Sequence, residues 1–475
     1  MTTRQALHTL PLGPLTPAEV FRRLATHPDL RAVALLESAR HNELTGRYSF
    51  IALDPLLRIQ SRGTDVQLSG AVNQRLQCRP LPLLHQWLAR FQLPRRPDGP
   101  PFSGGFIGYF GYDLVHFYER LPKIAADDLA LPDLDLYLPG TVIAFDHHKA
   151  TMTVVHTHVE AFAADASRFR DLPSVVAAIR AALDAPDTPP TLAPNAPTPR
   201  PVTIIAGQTP AQYEAGVHRA LEYIAAGDIF QANLAHRFTF ELGDRSPWRI
   251  YEQLRAINPS PFAAYLDFGS HTVISGSPER LVSLSGRHVQ TRPIAGTRPR
   301  SDEPRRDQAL LQELLTSEKE RAEHLMLVDL ERNDLGRVCE YGSIKVDELM
   351  VTERYSHVSH LVSNIAGRLH PHKDWLDLFR AVFPGGTVTG VPKVRCMEII
   401  DELEPVRRGP YSGSIGYVDL SGDLDLNIVI RSLIVRRDRG YLHVGSGIVA
   451  DSDPSREYAE TLYKAQAVKD AVERA

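Results

Sequence analysis

Between Asp184 and Val202 the chain reads DAPDTPPTLAPNAPTPRPV, a run holding seven prolines. Proline fixes φ and has no backbone N–H, so neither a helix nor a central strand can pass through such a run. The stretch is expected to be a linker or mobile surface loop over 184–202. It divides the chain into an N-terminal unit, 1–183, and a C-terminal unit, 203–475.

Both units mix strand and helix signals. YSFIALDPLLRIQ and DVQLSG read as strands joined by a turn at SRGT, and HTVISGS and YLHVGSGIVADS as further strands. SGSIGYVDLSGDLDLNIVIRSLIV reads as one hairpin turned at Ser421-Gly422-Asp423. Helical spacing runs through AQYEAGVHRALEYIAAG, the Arg305 to Leu335 stretch, KVRCMEIIDELE and SREYAETLYKAQAVKDAV. The expected class is α+β with antiparallel sheets, and no GxGxxG or GxxxxGK[ST] suggests a nucleotide site.

A chain of 475 residues, 43% of them hydrophobic, can bury a large core without covalent staples. Its three cysteines, Cys78, Cys339 and Cys396, are scattered and fit a reducing cytoplasm. MTTRQALHTLPLGPL lacks the charged-then-apolar order of a signal peptide. No apolar run approaches the roughly 18 to 20 residues of a membrane helix. Net charge is −4 with no basic stripe, which argues against nucleic acid as a partner.

Two carboxylate sets stand out. Glu320 and Glu323 are three apart in SEKERAEHLMLVDLERND; Glu457, Glu460 and Lys464 fall at i, i+3 and i+7 in PSREYAETLYKAQ. Each set shares one helical face, where like charges repel by a few tenths of a kcal/mol. Magnesium favours such oxygen ligands. Spacing alone favours a solvated helix face, as in most Glu-rich stretches.

The series SEKERAEHLMLVDLERNDLGRV, RYSHVSHLVS, FPGGTVTGVPKVRCMEIIDELEPVRRGPYSGSIGY, NIVIRSL and GSGIVADS, in that order, resembles the chorismate-utilising enzymes. These are anthranilate, aminodeoxychorismate, isochorismate and salicylate synthases. The match covers roughly residues 205 to 472. LLESARHNELTGRYSFI and GGFIGYFGYDLVHFYE extend a weaker likeness into the N-terminal unit. The resemblance implies a sandwich of large antiparallel sheets with helices outside and the active site in the C-terminal unit.

It also implies roles. Glu323 and Glu460 would be magnesium ligands, with Glu320 and Glu457 supporting them. Arg431 and Tyr411 would clamp the enolpyruvyl carboxylate of chorismate, a task suited to a guanidinium fork. Lys464 and the backbone of Gly447 would complete the pocket. His360, in preference to His357, and Thr387 would face the ring. Glu279 would be the general acid for the departing C4 hydroxyl, which requires a raised pKa. Ala295, Gly296 and Thr297 of PIAGT would pass under the ring. An inactive scaffold would be expected to lose some of these positions, yet each magnesium and clamp position matches.

Gln231 in QANLAHRF informs the choice of nucleophile. Relatives that add water resemble one another in carrying a lysine base here, whereas those that add ammonia carry glutamine. Water needs a base and free ammonia does not. Ammonia would come from a separate glutamine amidotransferase subunit. Ala295 stands where many aminodeoxychorismate synthases carry a nucleophilic lysine. The whole pattern resembles the subclass of those enzymes with PIAGT, and the alternative is an anthranilate synthase component I. Glu37 and Ser38 in LLES, with Pro259 and Phe262 in NPSPF, resemble parts of a tryptophan pocket; ordinary loop packing is the other reading.

Overall fold

The structure is a computed structural model that describes residues 2–39, 46–162, 170–185, 201–354 and 358–475. Most of the proline-rich run, and His357, lie outside the described residues. Among the described residues, twenty-two strands are joined by hydrogen bonds into one continuous system. All of its ladders between strands are antiparallel.

Strands that precede the proline-rich run and strands that follow it share this sheet. Ala32–Glu37 pairs with Phe262–Asp267 in the register Leu36↔Ala264, and Gly105–Phe110 pairs with Ser414–Asp419 in the register Tyr109↔Ile415. Strand residues and four loop residues alone (Phe102, Leu131, Phe268 and Val429) build one core cluster, which includes Phe50, Tyr109, Tyr137 and Tyr417. That is the signature of sheet packed on sheet. The two larger clusters bring helices against the sheet faces. Leu84, Trp87 and Phe91 of helix Pro80–Phe91 enter one. Val468, Ala471 and Val472 of helix Pro454–Arg474 enter the other.

Strand Leu134–Asp146 is buried along its whole length and shows how one strand serves several layers. Leu134, Leu136 and Leu138 face the first helical layer, whereas Ile143 and Phe145 face the second. Even and odd positions exchange faces near Pro139, where the register with Tyr48–Arg62 slips between Pro55 and Leu57. A one-residue slip turns every later side chain to the opposite face.

Two local expectations need correction. The Arg305 to Leu335 stretch is not one helix but two, Pro304–Thr316 and Glu318–Gly336, broken at Ser317. The Ser317 side chain accepts from the Glu320 N–H, so it starts the second helix by capping it. The hairpin at Ser421-Gly422-Asp423 is present, with Gly416↔Leu426 in register, but it ends at Asn427. Arg431 has φ +51°, and beyond it Ser432–Arg436 joins Thr272–Ser277 instead.

Candidate active site

Helix Glu318–Gly336 presents an acidic stripe to the protein interior: Glu320, Glu323, Glu331 and Asp334 recur with helical spacing. Glu331 and Asp334 are buried, and Glu320 and Glu323 lie nearer the N-terminal end. Burial first, and then the charge of Glu320, push the Glu323 carboxyl up to about 7. Two carboxylates close together in a desolvated place have this effect on each other.

Glu323 meets the sheet through Gln231, the first residue of strand Gln231–Glu241. The Gln231 Nε2 group donates to Glu323 Oε1 at 2.8 Å. The contact fits because Gly447, on the neighbouring strand Arg439–Ile448, has no side chain. A Cβ there would lie 2.6 Å from Gln231 Nε2 and 3.4 Å from Glu323 Oε1. The Gln231 Oε1 atom is buried with no hydrogen-bond partner among the described residues. Such an atom costs free energy unless something fills its valence.

Glu320 is held differently. Arg298 Nη1 donates to its Oε1 at 2.9 Å, and a Cβ on Gly296 would lie 3.1 Å from its Oε2. Gly296 has φ +85°, so the PIAGT segment turns sharply beneath the start of the helix. Ala295 is buried, and its carbonyl is 3.3 Å from His324 Nδ1. The Thr297 hydroxyl lies 2.7 Å from His360 Nδ1. Burial pushes His360 down to about 3, with the positive charge of Arg431 acting in the same direction, so its ring is neutral at physiological pH.

Helix Pro454–Arg474 separates its two glutamates. Glu457 is buried, accepting from Ser452 Oγ at 2.7 Å through one oxygen and from Ser446 Oγ through the other. Glu460 is half exposed and pairs with Lys464 Nζ at 2.7 Å. Lys464 also donates to the Gly445 carbonyl at 3.0 Å, which ties this helix to the strand carrying Gly447.

Glu279 lies between strands Thr272–Ser277 and Arg280–Ser285 and is 4% exposed. Burial pushes its carboxyl up to about 7, although the Ile294 N–H donates to Oε1 at 3.2 Å and Arg431 and Lys464 contribute positive charge. The carboxyl is therefore matched to acid chemistry near neutral pH. Tyr411 is buried and stacks on His443 with ring centres 5.4 Å apart, and the Arg408 guanidinium lies over the Tyr411 ring at 5.5 Å from its centre. Thr387 belongs to the turn Gly386–Val388, where its carbonyl faces Asn233 Nδ2 at 3.5 Å.

These contacts bring Gln231, Glu323 and Gly447 together, and Ala295, Gly296, Thr297, Glu320 and His360 beside them. Lys464 influences both Glu279 and Glu323, which links the acid to the carboxylate cluster. His324 and Glu331 escaped the sequence reading. Their burial follows from the helix face, which the Glu320–Glu323 spacing already defined.

Among the described residues no group of three or more His, Cys, Asp or Glu side chains is arranged to hold a metal. The donor chemistry nevertheless fits a hard cation. Glu323 is a half-buried carboxyl whose neighbours are another carboxylate and an amide N–H, and all the candidate ligands are oxygen donors.

A separate cavity of about 130 Å3 lies where the two units share the sheet, lined in part by Glu37, Ser38, Tyr48, Phe262 and Tyr417. Pro261 lines it and Pro259 does not. Glu37 is held from behind, its Oε2 accepting from Tyr251 Oη at 2.8 Å and Arg255 Nε at 2.6 Å.

Comparison with known proteins agrees with this architecture. Residues 33–470 match the family model described as chorismate binding enzyme. The chain belongs to that family. It is 44% identical to an anthranilate synthase component I-like protein of Synechocystis, over 98% of this chain and 91% of that one. It is 41% identical to aminodeoxychorismate synthase component 1 of Bacillus subtilis, over 92% and 91%. Anthranilate synthase component I from Streptococcus pneumoniae superposes with a TM-score of 0.78 at 33% identity, covering 97% of this chain and 99% of that one. Family membership makes this a chorismate-utilising enzyme with the anthranilate synthase component I fold. No helix among the described residues is long and apolar enough to cross a membrane.

Proposed function

We propose that the chain is a cytoplasmic chorismate-binding subunit that converts chorismate and ammonia to 4-amino-4-deoxychorismate, the precursor of 4-aminobenzoate in folate synthesis. The observation that carries the reading is the Gln231–Glu323 contact. A carboxamide, which cannot remove a proton from water, stands where a hydroxylating relative would need a base.

Glu323 and Glu460 would hold magnesium, with Glu320 and Glu457 behind them. Glu460 would exchange its Lys464 partner for the ion. The ion would supply Lewis acidity toward the ring carboxylate of chorismate. Arg431 and Tyr411 bind the enolpyruvyl carboxylate, and Lys464 and the Gly447 backbone close the pocket. Glu279 gives its proton to the C4 hydroxyl, which leaves as water. His360 and Thr387 bound the ring, and Ala295, Gly296 and Thr297 support it from below.

Ala295, which is also the usual residue of anthranilate synthases, is compatible with the PIAGT subclass, where ammonia takes the part of the absent lysine. QANLAHRF, TVTGVPK and RRGPYSGSIGY favour the same product. A second reading, anthranilate synthase component I releasing anthranilate and pyruvate, is favoured by ERAEHLMLVDL and by the relatives that bear that name. The component I names of the relatives support a glutamine amidotransferase partner. The cavity at Glu37, Ser38 and Phe262 would hold tryptophan as a structural or regulatory ligand. The deciding experiment incubates the purified chain with chorismate, ammonium and magnesium. 4-Aminobenzoate formed only after a lyase is added supports the proposal, and anthranilate with stoichiometric pyruvate selects the second reading.

A further inference from the structure

Glu331 lies on the same helix face as Glu323, two turns further along, and is 7% exposed. Its Oε2 is hydrogen-bonded to Thr291 Oγ1, and that same hydroxyl is 2.9 Å from the carbonyl of Leu281. A threonine hydroxyl has one proton. A backbone carbonyl can only accept, so the threonine proton goes to Leu281. The second bond then requires a proton on Glu331. The carboxyl is a donor, and hence neutral.

The site of this clamp matters. In the ladder between Arg280–Ser285 and His288–Arg292, the register jumps from Arg280↔Arg292 to Ser283↔Gln290. Leu281 and Val282 therefore stand opposite Thr291 alone, which is a bulge. Glu279 stands two residues before this bulge, with the paired Arg280 between them. Three residues past Thr291, the Ile294 N–H donates to the Glu279 carboxyl. The bulge thus sets both the origin of the Glu279 side chain and the donor that orients it.

We propose that Glu331 is a permanently protonated carboxylic acid that closes this bulge through Thr291 and so positions Glu279. Glu331 is a positioning residue, and its part in turnover rests on the general-acid role given above to Glu279. The groups around it agree. Burial first, then the charges of Glu279 and Asp334, oppose its ionisation. Lys393 is the cation facing it, but Lys393 is engaged by Asp334 and by the Val382 carbonyl at 3.1 Å. A protonated acid avoids leaving an uncompensated charge in the core.

Two measurements test this. Infrared spectra taken well above the Glu279 titration should keep a protonated-carboxyl C=O band that Glu331→Gln removes. Absence of that band overturns the proposal whatever the reaction proves to be, so its failure is separable from failure of the chorismate reading. In turnover, Glu331→Gln keeps a neutral donor and should retain wild-type kcat and the wild-type alkaline limb. Glu331→Leu, and the isosteric Thr291→Val as a milder second variant, should lower kcat about ten- to a hundredfold and displace that limb, with KM changed less. Wild-type kcat and pH profile in the folded Thr291→Val protein, or an alkaline limb moved downward in Glu331→Gln, would reject it.

Discussion

Gln231 Nε2 and Glu323 Oε1 are 2.8 Å apart, although 92 residues separate them in the chain. The pair joins the first residue of a central strand to the acidic face of a helix. It leaves the other Gln231 atom, Oε1, buried and unpartnered among the described residues. An amide in this position consumes no proton and supplies none. On the proposed reading the carboxylate remains available to a cation, and a nucleophile that needs no base is favoured. Replacing Gln231 with lysine would put a base at the same point. We expect Gln231→Lys to form detectable isochorismate from chorismate and water. Ammonia-dependent activity with no hydroxylated product would show that Gln231 alone does not control the choice.

The carboxylate itself gives the second prediction. Glu323→Gln or Glu460→Gln removes one of the anionic ligands proposed for magnesium while preserving shape, so chorismate turnover should fall by at least about a hundredfold with the fold intact. Circular dichroism would confirm folding, and titration with magnesium would show whether excess metal restores activity. Wild-type turnover by either folded variant at limiting magnesium would sink the metal assignment.

The general-acid role proposed for Glu279 gives the pH prediction. Its carboxyl is held at about 7 in the fold, well above an ordinary glutamate. As an acid it must be protonated, so kcat at saturating free ammonia should be level below about pH 7 and fall above it. The stability sign follows from the same fact. The native state keeps this proton while the unfolded chain has already lost it, so stability declines as pH rises from the unfolded value to about 7. The full effect is on the order of 3 kcal/mol. Glu279→Gln should flatten that contribution and abolish the alkaline limb along with most activity. A limb unchanged in a residually active Glu279→Gln protein would assign it to another group.

Gly447 offers a packing test. A Cβ at that position would fall 2.6 Å from Gln231 Nε2, closer than real contacts allow. Gly447→Ala should push Gln231 off Glu323 and lower kcat/KM about tenfold or more. Because the displaced atom ends a side chain, thermal stability should fall by only about 1–2 kcal/mol. Unchanged kinetics would mean that the Gln231–Glu323 contact is dispensable.

Elements with local causes were readable in the sequence. Thr209 and Gln212 form the capping box that starts helix Pro210–Ala225, and the Gly422 turn defines its hairpin. Causes that lie across the fold were not readable. Ser317 interrupts a stretch whose helical pattern continues through it, and only its capping bond to Glu320 reveals the break. Arg431 at positive φ looks like another residue of the strand pattern NIVIRSL. Glu457 and Glu460 have the same spacing as Glu320 and Glu323. Yet Ser446 and Ser452, from other segments, draw Glu457 inward while Glu460 stays at the edge. Spacing gives a helix face, and burial of that face depends on what packs against it.

Ala295 is where the proposed product is most exposed to test. Its methyl group offers no nucleophile, and its carbonyl is held by His324, so C2 of the ring cannot be captured covalently from this position. Ammonia would instead add at C2, with loss of the C4 hydroxyl as water, to give 2-amino-2-deoxyisochorismate. An anthranilate synthase would then eliminate pyruvate. An aminodeoxychorismate synthase must hold the enolpyruvyl arm away from that elimination while a second ammonia attacks C4 and the C2 amine departs. One nitrogen is retained and one ammonia returned, so the net consumption is one ammonia per product. Intact-mass measurement during turnover should therefore show no chorismate adduct on the protein. Labelled ammonia should exchange into any released 2-amino-2-deoxyisochorismate. Ala295→Lys should allow an adduct to form at C2 if the ring lies above this residue. A covalent adduct on the wild-type chain would reject the two-ammonia route. Anthranilate with pyruvate, formed without a lyase, would show that the intermediate is not protected from elimination.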